Sequence, residues 1–578
     1  MENALFSTTL FDFNGFQGGY SPLIEEEPAF ESRKQHLSGM EFLGGVDPLS
    51  TENDKETDPF KDQQQDHQLL QQFLQQHEPK FDNLIQEELD FTHVLPSTQP
   101  VGETIRLNNV CSKQVLQSSS LTSLELLNNY GTGFKKLKGR KISNFGDDNK
   151  SVGRGKLSTE EIMRVAGSRY VQFSSQGDGD SPMTMHPYGC TLSDLSEEET
   201  RDVELAHFLL AAAERVGYQQ FERARKLLVR CKWISSAHAN AVHKVVFHFA
   251  EALRERIEKE VGHMACFTSM GPERNEENEL IQGLNSGTAL ACHQLLPFNQ
   301  ILQFPGMQAI VENVAYATKI HVIDISIRSG VQFSVLMQAV AEWKEKPVEL
   351  FKITAIGLIG DKKIEETGKR LASVAESLNL PFSYKVIFVA DIIELKEDQF
   401  EIEQGEALAV YSPYILRTLI SSPHSLENLM RILKNLKPSI MIVLEVEGNH
   451  NSPLFVNRFT ETLFYYSAFF DSLETCFKQN NKCKSNVEAI LSEGIRNIVA
   501  MEGSARTVRN VKLDVWRAFF ARFRMVETPF SESSLYQANL VIKRFPYGNL
   551  CTLDKNGKSL QVGWKGTPLH SVSAWKFH

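Results

Sequence analysis

The sequence lacks the features on which metal sites, disulfide frameworks and membrane insertion depend. Its eight cysteines form no CxxC pair, and Cys476 and Cys483, which lie closest together, are seven positions apart. This spacing excludes the usual zinc frameworks, and scattered thiols in a long chain are typical of a reducing compartment. No segment approaches the roughly 18 unbroken apolar residues of a membrane span, and no signal-peptide pattern begins the sequence. We therefore expect a soluble, intracellular protein.

Catalytic signatures and an excess of positive charge are missing as well. The chain contains no GxSxG elbow, P-loop or HExxH motif, so it has no recognisable hydrolase, phosphoryl-transfer or metalloprotease site. Its 61 Lys and Arg residues are outnumbered by 72 Asp and Glu residues, which gives a net charge of −11. This balance argues against a protein that coats nucleic acid by bulk charge, although a local basic patch stays possible. We expect no enzyme activity, no cofactor and no metal.

The composition changes near residue 195. Before it lie a Gln-rich stretch (63–77), a serine cluster (117–120) and a Gly/Asp/Ser-rich stretch (174–183). Segments of this kind bury too little apolar surface to offset the entropy cost of ordering. The sequence therefore predicts a disordered regulatory region over residues 1–195.

Two segments of this region carry more specific patterns. FDNLIQEELDF (81–91) mixes acidic and apolar residues, which is typical either of an activation segment that folds onto a partner or of a helix docked loosely on its own domain. KKLKGRK (135–141) has the composition of a nuclear-import patch or of a solvated basic run. The basic residues of this candidate patch are Lys135, Lys136, Lys138, Arg140 and Lys141.

Residues 196–260 show apolar residues at helical spacing with charged residues between them. Such amphipathic helices either pack against the rest of a domain or offer a leucine-rich face to a partner, and the sequence leaves both interpretations open. The candidate partner-binding residues are Leu205, Leu209, Val242, Val246, Phe249 and Leu253.

After residue 300, strand-like and helical segments alternate. This order predicts an α/β core over 261–578, with a mostly parallel, Rossmann-like sheet covered by helices on both faces. The predicted strands lie at 320–324, 351–357, 386–390, 407–412 and 439–447, and the predicted helices lie at 331–343, 366–380 and 426–436. Segments 536–545 and 569–577 are predicted as closing, antiparallel strands.

The first predicted strand, IHVID, ends in Asp324, where a dinucleotide or methyltransferase site would begin. Such sites need closely spaced glycines after the strand, and a second acid after the next strand. Here the loop ISIRSG has one glycine, Gly330, and the second acid is delayed to Asp361. We therefore expect Asp324 to be a structural hydrogen-bond acceptor, and a methyltransferase-like enzyme or small-molecule sensor is a remote alternative.

Several ordered blocks carry a resemblance to a known family. IHVID (320–324), the block 444–474, the block 497–520 and the closing GWKGTPLHSVSAWKF follow one another in the chain. From about residue 200 onward, they resemble the GRAS family of plant transcriptional regulators, with IHVID in the place of the VHIID motif. The residues that carry the resemblance are His321, Val322, Ile323, Asp324, Pro453, Phe464, Tyr465, Trp564, Ser573, Ala574 and Trp575.

The resemblance implies a methyltransferase-related fold whose first leucine-rich region forms an α-helical cap over 196–260. It also implies a nuclear, non-enzymatic regulator that forms homo- or heterodimers with GRAS proteins or other transcription factors. The region before residue 195 lacks the DELLA string, so the hypothesis is a branch near the arbuscular-symbiosis regulators, not a gibberellin-degraded member.

Direct, sequence-selective binding to promoter DNA is the alternative function. A basic run lies among aromatic residues near the end of the chain, and basic side chains can neutralise phosphate. Because Trp516, Phe519, Phe520 and Phe523 fall at helical spacing, we expect them to face the core and to leave the basic residues solvated. The candidate DNA-binding residues are Arg506, Arg509, Lys512, Arg517 and Arg522.

Overall fold

The computed structural model describes residues 157–175, 195–235, 240–262, 286–359, 361–478 and 481–578. The predictions for segments 81–91 and 135–141, and most of the predicted disordered region, lie outside these residues. Within that region, residues 159–175 correct the prediction, because they form a helix in which Ile162, Met163 and Ala166 are buried. Among the helices that are described, none is both long enough and apolar enough to cross a membrane.

The first helices of the described residues are α1 (Thr159–Ser175), α2 (Glu197–Gly217), α3 (Phe221–Ile234) and α4 (Ala241–Glu260). Side-chain caps define where two of them begin. The Ser196 hydroxyl accepts a hydrogen bond from the Glu199 backbone N–H at 3.2 Å, and Asn240 Oδ1 accepts one from the His243 N–H at 3.0 Å. Such bonds satisfy amide groups that have no partner inside the helix. Helix α3 buries Ala224, Leu228 and Cys231 and contacts α2 and α4.

The remaining helices are α5 (Ser286–Leu295), α6 (Pro297–Val314), α7 (Val331–Ala341), α8 (Lys362–Ser377), α9 (Leu416–Leu419), α10 (Pro423–Leu436), α11 (Phe455–Cys476), α12 (Asn481–Ala500), α13 (Leu513–Ala521) and α14 (Glu532–Arg544). The strands are β1 (Lys319–Asp324), β2 (Leu350–Leu358), β3 (Phe382–Val389), β4 (Glu406–Pro413), β5 (Ile440–Val446), β6 (Met525–Thr528), β7 (Cys551–Asn556), β8 (Ser559–Trp564) and β9 (Thr567–Phe577).

The strands form one sheet in the order β3-β2-β1-β4-β5-β9-β8-β7, and β6 also pairs with β9. Strands β3, β2, β1, β4 and β5 are parallel, and β9 runs antiparallel to β5. All seven residues of β5 are buried, as expected for a strand with helices on both faces. The predicted Rossmann-like, mostly parallel α/β sheet is therefore confirmed. Its parallel strands bring Asp324 of β1 level with Tyr411 of β4 at their carboxyl ends.

One predicted strand is wrong. Residues 536–544 of this segment belong to helix α14. The helix begins after Ser531, whose hydroxyl accepts a hydrogen bond from the Ser534 N–H at 3.1 Å. Ser534, Ala538 and Val541 are buried at helical spacing, and the Ser534 hydroxyl donates to a backbone carbonyl of α6 at 3.3 Å. The short apolar run fits both the period of a strand and the period of a helix, and packing against α6 favours the helix.

Candidate functional site

The candidate partner-binding residues of α2 and α4 are buried. Each is at most 4% exposed, because α2 and α4 turn their apolar faces toward the rest of the domain. For example, the Phe249 ring lies 5.3 Å from the Phe459 ring and 6.2 Å from the Tyr466 ring, both on α11. The assignment of these residues to a partner surface therefore needs correction, since their side chains cannot reach a partner in this fold. The residues to which this correction applies are Leu205, Leu209, Val242, Val246, Phe249 and Leu253.

Helix α3 presents the exposed apolar surface of this region instead. Val229, Trp233 and Ile234 are 53%, 64% and 46% exposed, on the side of the helix that faces away from α2 and α4. Sequence reasoning missed these residues because apolar residues occur on both sides of α3, and their spacing does not show which side is covered. The name "outer face of α3" is used below for the exposed residues Lys226, Val229, Arg230, Lys232, Trp233 and Ile234.

The loop after β1 is packed against α8. Gly330 adopts a left-handed backbone conformation (φ 69°), and an added Cβ would lie 2.9 Å from Thr367 Cγ2 of α8. The Thr367 hydroxyl also donates to the Arg328 carbonyl at 2.7 Å. The loop is thus tied to its own following helix, in the place where a Gly-rich loop would approach a cofactor phosphate.

Asp324 is fully buried at the end of β1. Its carboxylate accepts hydrogen bonds from the Ser326 N–H at 2.8 Å and from Gln332 Nε2 at 3.4 Å. Burial raises the pKa of Asp324 to about 7, and the Ser326 hydrogen bond and the Arg328 charge oppose that rise. In this arrangement, the carboxylate holds its own loop together.

The histidine of the VHIID-like motif connects three neighbouring strands. His321 Nδ1 donates to Glu406 Oε2 of β4 at 2.8 Å, and its Nε2 accepts from the Thr354 hydroxyl of β2 at 2.8 Å. Lys352 Nζ lies 3.5 Å from Glu406 Oε1. Burial lowers the pKa of His321, and the Glu406 carboxylate opposes that shift. A Glu–His–Thr chain could relay a proton in an open site, but here the imidazole is fully buried and both ring nitrogens are occupied.

A second buried polar network lies at the carboxyl end of β5. Glu445 Oε1 accepts from the Leu416 N–H at 3.0 Å and from the Arg417 N–H at 3.3 Å. Arg417 Nη1 donates to Asn510 Oδ1 at 3.1 Å, and Asn510 Nδ2 donates to His450 Nδ1 at 2.8 Å. Burial raises the pKa of Glu445 to about 7 and lowers that of His450 to about 3. The network therefore joins the block 444–474 to the block 497–520.

Most of the candidate DNA-binding side chains contribute to internal contacts. Arg506 is 5% exposed and donates to the His450 carbonyl at 3.1 Å, and Arg509 donates to Asn451 Oδ1 at 3.1 Å. Lys512 Nζ lies 3.3 Å from Glu461 Oε1. These contacts connect the loop before α13 to the loop before α11 and to α11 itself.

Arg517 of α13 and Arg522, the residue that follows this helix, are paired with acids. Arg517 binds both carboxylate oxygens of Glu527, at 3.1 and 3.0 Å, and also Asp514 at 2.6 Å. Arg522 is exposed and lies 3.0 Å from Glu427. Trp516 and Phe520 are buried as expected, with the Phe520 ring 4.7 Å from the Trp575 ring. The ion pairs leave little uncompensated positive charge for phosphate.

Most of the remaining motif residues lie in the interior of the domain. Trp564 Nε1 donates to Asp471 Oδ2 at 2.7 Å, and Trp575 Nε1 donates to the Ser573 hydroxyl at 2.8 Å. Val322, Ile323, Phe464, Tyr465 and Ala574 are buried, and Pro453 is exposed in the loop before α11. Across the part of the chain that the structure covers, no group of three or more His, Cys, Asp or Glu residues could hold a metal ion.

Comparison with known proteins gives consistent matches. The family model described as the GRAS domain family matches residues 205–576. The chain is 30% identical to DELLA protein GAI1 of Vitis vinifera and 31% identical to DELLA protein RGA of Arabidopsis thaliana, each over 387 residues. Each alignment covers 66% of this chain and 63% of the relative, so the chain spans a little under two thirds of their length.

A solved structure has the same fold. The crystal structure of SCL7 in Oryza sativa matches with a TM-score of 0.57 and 24% identity, over 64% of this chain and 99% of that chain. At this identity, the likeness concerns the fold alone.

Proposed function

The chain belongs to the GRAS domain family, and from this premise we propose that it is a nuclear transcriptional regulator of plants that acts through contacts with other proteins. Its partners would be other GRAS proteins or transcription factors, in homo- or heterodimers. The part of residues 1–195 outside α1 would recruit further regulators, α2–α4 would form the helical cap within 196–260, and residues 261–578 would form the core that supports it.

The observation that carries this proposal is the outer face of α3. A tryptophan and two aliphatic side chains are exposed there among basic residues, and interfaces are enriched in aromatic residues and Arg. At the carboxyl ends of β1 and β5, Asp324 and Glu445 Oε1 accept hydrogen bonds from backbone groups of their own chain. The contact surface that supports this function best is the outer face of α3, which is exposed and lies outside the sheet.

A reporter assay in plant protoplasts tests the proposal. The full chain is fused to a heterologous DNA-binding domain, and its effect on a reporter gene is compared with that of Val229→Ser/Trp233→Ser/Ile234→Ser. Loss of an aromatic anchor typically costs about 2 kcal/mol or more, roughly 30-fold in affinity, so we expect most of the effect to disappear.

The matched control is Leu290→Ser/Tyr316→Ser/Leu454→Ser, which removes exposed apolar side chains elsewhere. This control should keep the reporter effect, and both variants should melt within a few degrees of the parent because no buried contact is lost. An outer-face variant that regulates the reporter as the parent does would contradict the proposed role of α3.

Nuclear import through segment 135–141 is a separate part of the proposal. We expect a fluorescent fusion to accumulate in nuclei, and alanine substitutions in the segment to shift it toward the cytoplasm. The substituted residues are Lys135, Lys136, Lys138, Arg140 and Lys141. Unchanged nuclear accumulation would remove the segment from the proposal.

Direct DNA binding is the second candidate function, and it would depend on Arg522, which is exposed although it forms an ion pair with Glu427. Its test is selection of the purified full chain against a random DNA library at several salt concentrations. Retention that falls steeply with salt and is lost in Arg522→Glu would support this function, because phosphate contacts release counterions.

A further inference from the structure

A second exposed apolar patch lies at the carboxyl ends of β2 and β3. Leu358 and Ile359 are 50% and 69% exposed, and Ile393, in the short helical turn after β3, is 50% exposed. The Ile359 N–H donates to the Val389 carbonyl at 3.1 Å, which holds the two strand ends side by side. The name "edge patch" is used below for Leu358, Ile359 and Ile393.

The rim of the edge patch is mainly acidic. Asp361 Oδ1 accepts from the Lys363 N–H at 3.0 Å, Asp391 Oδ1 accepts from the Ile393 N–H at 2.9 Å, and Glu394 Oε2 accepts from the Ala390 N–H at 3.3 Å. These bonds to nearby backbone groups keep three carboxylates beside the exposed aliphatic side chains. Basic residues adjoin the rim in the sequence as well, since Lys362 and Lys363 directly follow Asp361.

The outer face of α3 has the opposite charge. Helix α3 carries five basic residues against one acid, Glu222, although the whole chain is acidic. Glu222 lies 3.1 Å from Arg225, whereas Lys226, Arg230 and Lys232 are exposed around Trp233 and its aliphatic neighbours. The chain therefore carries one basic-apolar surface and one acidic-apolar surface.

We propose that the outer face of α3 in one copy of the chain docks on the edge patch of a second copy. This inference rests on the proposed function, because it names the partner of the same α3 surface. Burying the apolar side chains would exclude water around the charges, and the Lys and Arg side chains would then face Asp361, Asp391 and Glu394. A second copy is the occupant that the structure favours, since both complementary surfaces lie on this one chain.

The contact is heterologous, because two different surfaces meet. Such a contact either closes when both copies exchange it reciprocally or adds further copies head to tail. Two copies with a net charge of −11 repel each other overall, so the local attraction has to exceed that repulsion.

Sedimentation velocity of the full chain at tens of micromolar tests the inference with two charge-reversed variants. The first, Lys226→Glu/Arg230→Glu/Lys232→Glu, makes α3 acidic. The second, Ile359→Lys/Ile393→Lys/Glu394→Lys, makes the edge patch basic. Each variant alone should associate at least about tenfold more weakly than the parent, because its α3 face and its edge patch now carry charge of the same sign.

An equal mixture of the two variants should associate again. The unchanged α3 of the second variant fits the unchanged edge patch of the first, and the reversed surfaces also fit each other. Two controls match the charge changes elsewhere on the surface, Lys344→Glu/Lys543→Glu/Lys555→Glu and Leu290→Lys/Glu345→Lys/Leu454→Lys, and both should associate as the parent does.

A monomeric parent, a variant that associates normally by itself, or a mixture that does not recover would each overturn the inference. These results are separable from the proposed function. If the parent is monomeric but the α3 serine variant still loses its reporter effect, the second copy is excluded and the regulatory role of α3 stands. If that variant keeps the reporter effect, the proposed function fails at this surface whatever the sedimentation shows.

Discussion

Replacing His321 by leucine should destabilise the sheet strongly. The imidazole forms two hydrogen bonds inside the fold, to Glu406 on one neighbouring strand and to Thr354 on the other, both at 2.8 Å. Leucine occupies a similar space and can form neither bond. The Glu406 and Thr354 side chains would then lose a partner in a buried position.

The size of the effect follows from those two groups. A buried polar group left without a partner costs about 1–3 kcal/mol, and a buried carboxylate costs more. Lys352 Nζ, 3.5 Å from Glu406, offsets part of that loss. We therefore expect His321→Leu to lower the free energy of unfolding by about 3–5 kcal/mol.

Urea unfolding of the full chain, followed by tryptophan fluorescence, measures the change. Thr354→Val removes one of the two bonds and should cost about 1–2 kcal/mol. In the double variant the two costs should fall short of additivity by about 1 kcal/mol, because both changes remove the same bond. His424→Leu, at an exposed histidine, is the control and should stay within about 0.5 kcal/mol of the parent. A His321→Leu midpoint equal to that of the control would refute the proposed role of His321 in linking the strands.

Three further predictions concern the carboxyl edge of the sheet. Burial lowers the pKa of His450 to about 3, so its contribution to stability is present above its unfolded pKa of about 6.5 and declines as the pH falls. At about pH 5 we expect this contribution to be roughly 2 kcal/mol smaller than at neutral pH. The His450→Gln variant should reduce the measured dependence of the unfolding free energy on pH by that amount. Gly330→Ala should lower the free energy of unfolding by about 2–4 kcal/mol in a urea titration, because it combines a strained φ with a close approach to Thr367. Gly405→Ala, at a positive φ in open space, is the control and should cost about 1 kcal/mol. Equal costs for the two variants would contradict the packing described for the loop after β1. Calorimetric titration with S-adenosylmethionine should give no binding heat, and saturable heat would return the methyltransferase-like alternative to consideration.

The parallel part of the fold could be predicted from the sequence because its signals are local. Strand β1 and its neighbours are short apolar runs that alternate with longer amphipathic segments. The type and the order of these elements can therefore be predicted from the local sequence. Helix α14 was mispredicted because its short apolar run fits both periods, and contact with the distant helix α6 decides between them.

The contact surfaces were less predictable for a related reason. Apolar residues on α3 fall on both the buried and the exposed sides, and periodicity alone cannot tell which side α2 and α4 cover. The polar network is also hidden in the sequence, since Arg417 and Asn510 lie 93 positions apart. The burial of Trp516 could be predicted, because the helical spacing of its aromatic neighbours indicates which side of α13 faces the core.

Strand β9 determines when this fold can be completed during synthesis. It pairs with β5 on one edge and with β8 and β6 on the other, so it joins the parallel strands to the antiparallel ones. The ribosome produces β9 after β1–β8, and until it emerges the β5 edge stays unpaired. The growing chain must therefore keep an incomplete sheet from pairing with other chains, and this period of exposure to aggregation ends when β9 pairs with β5.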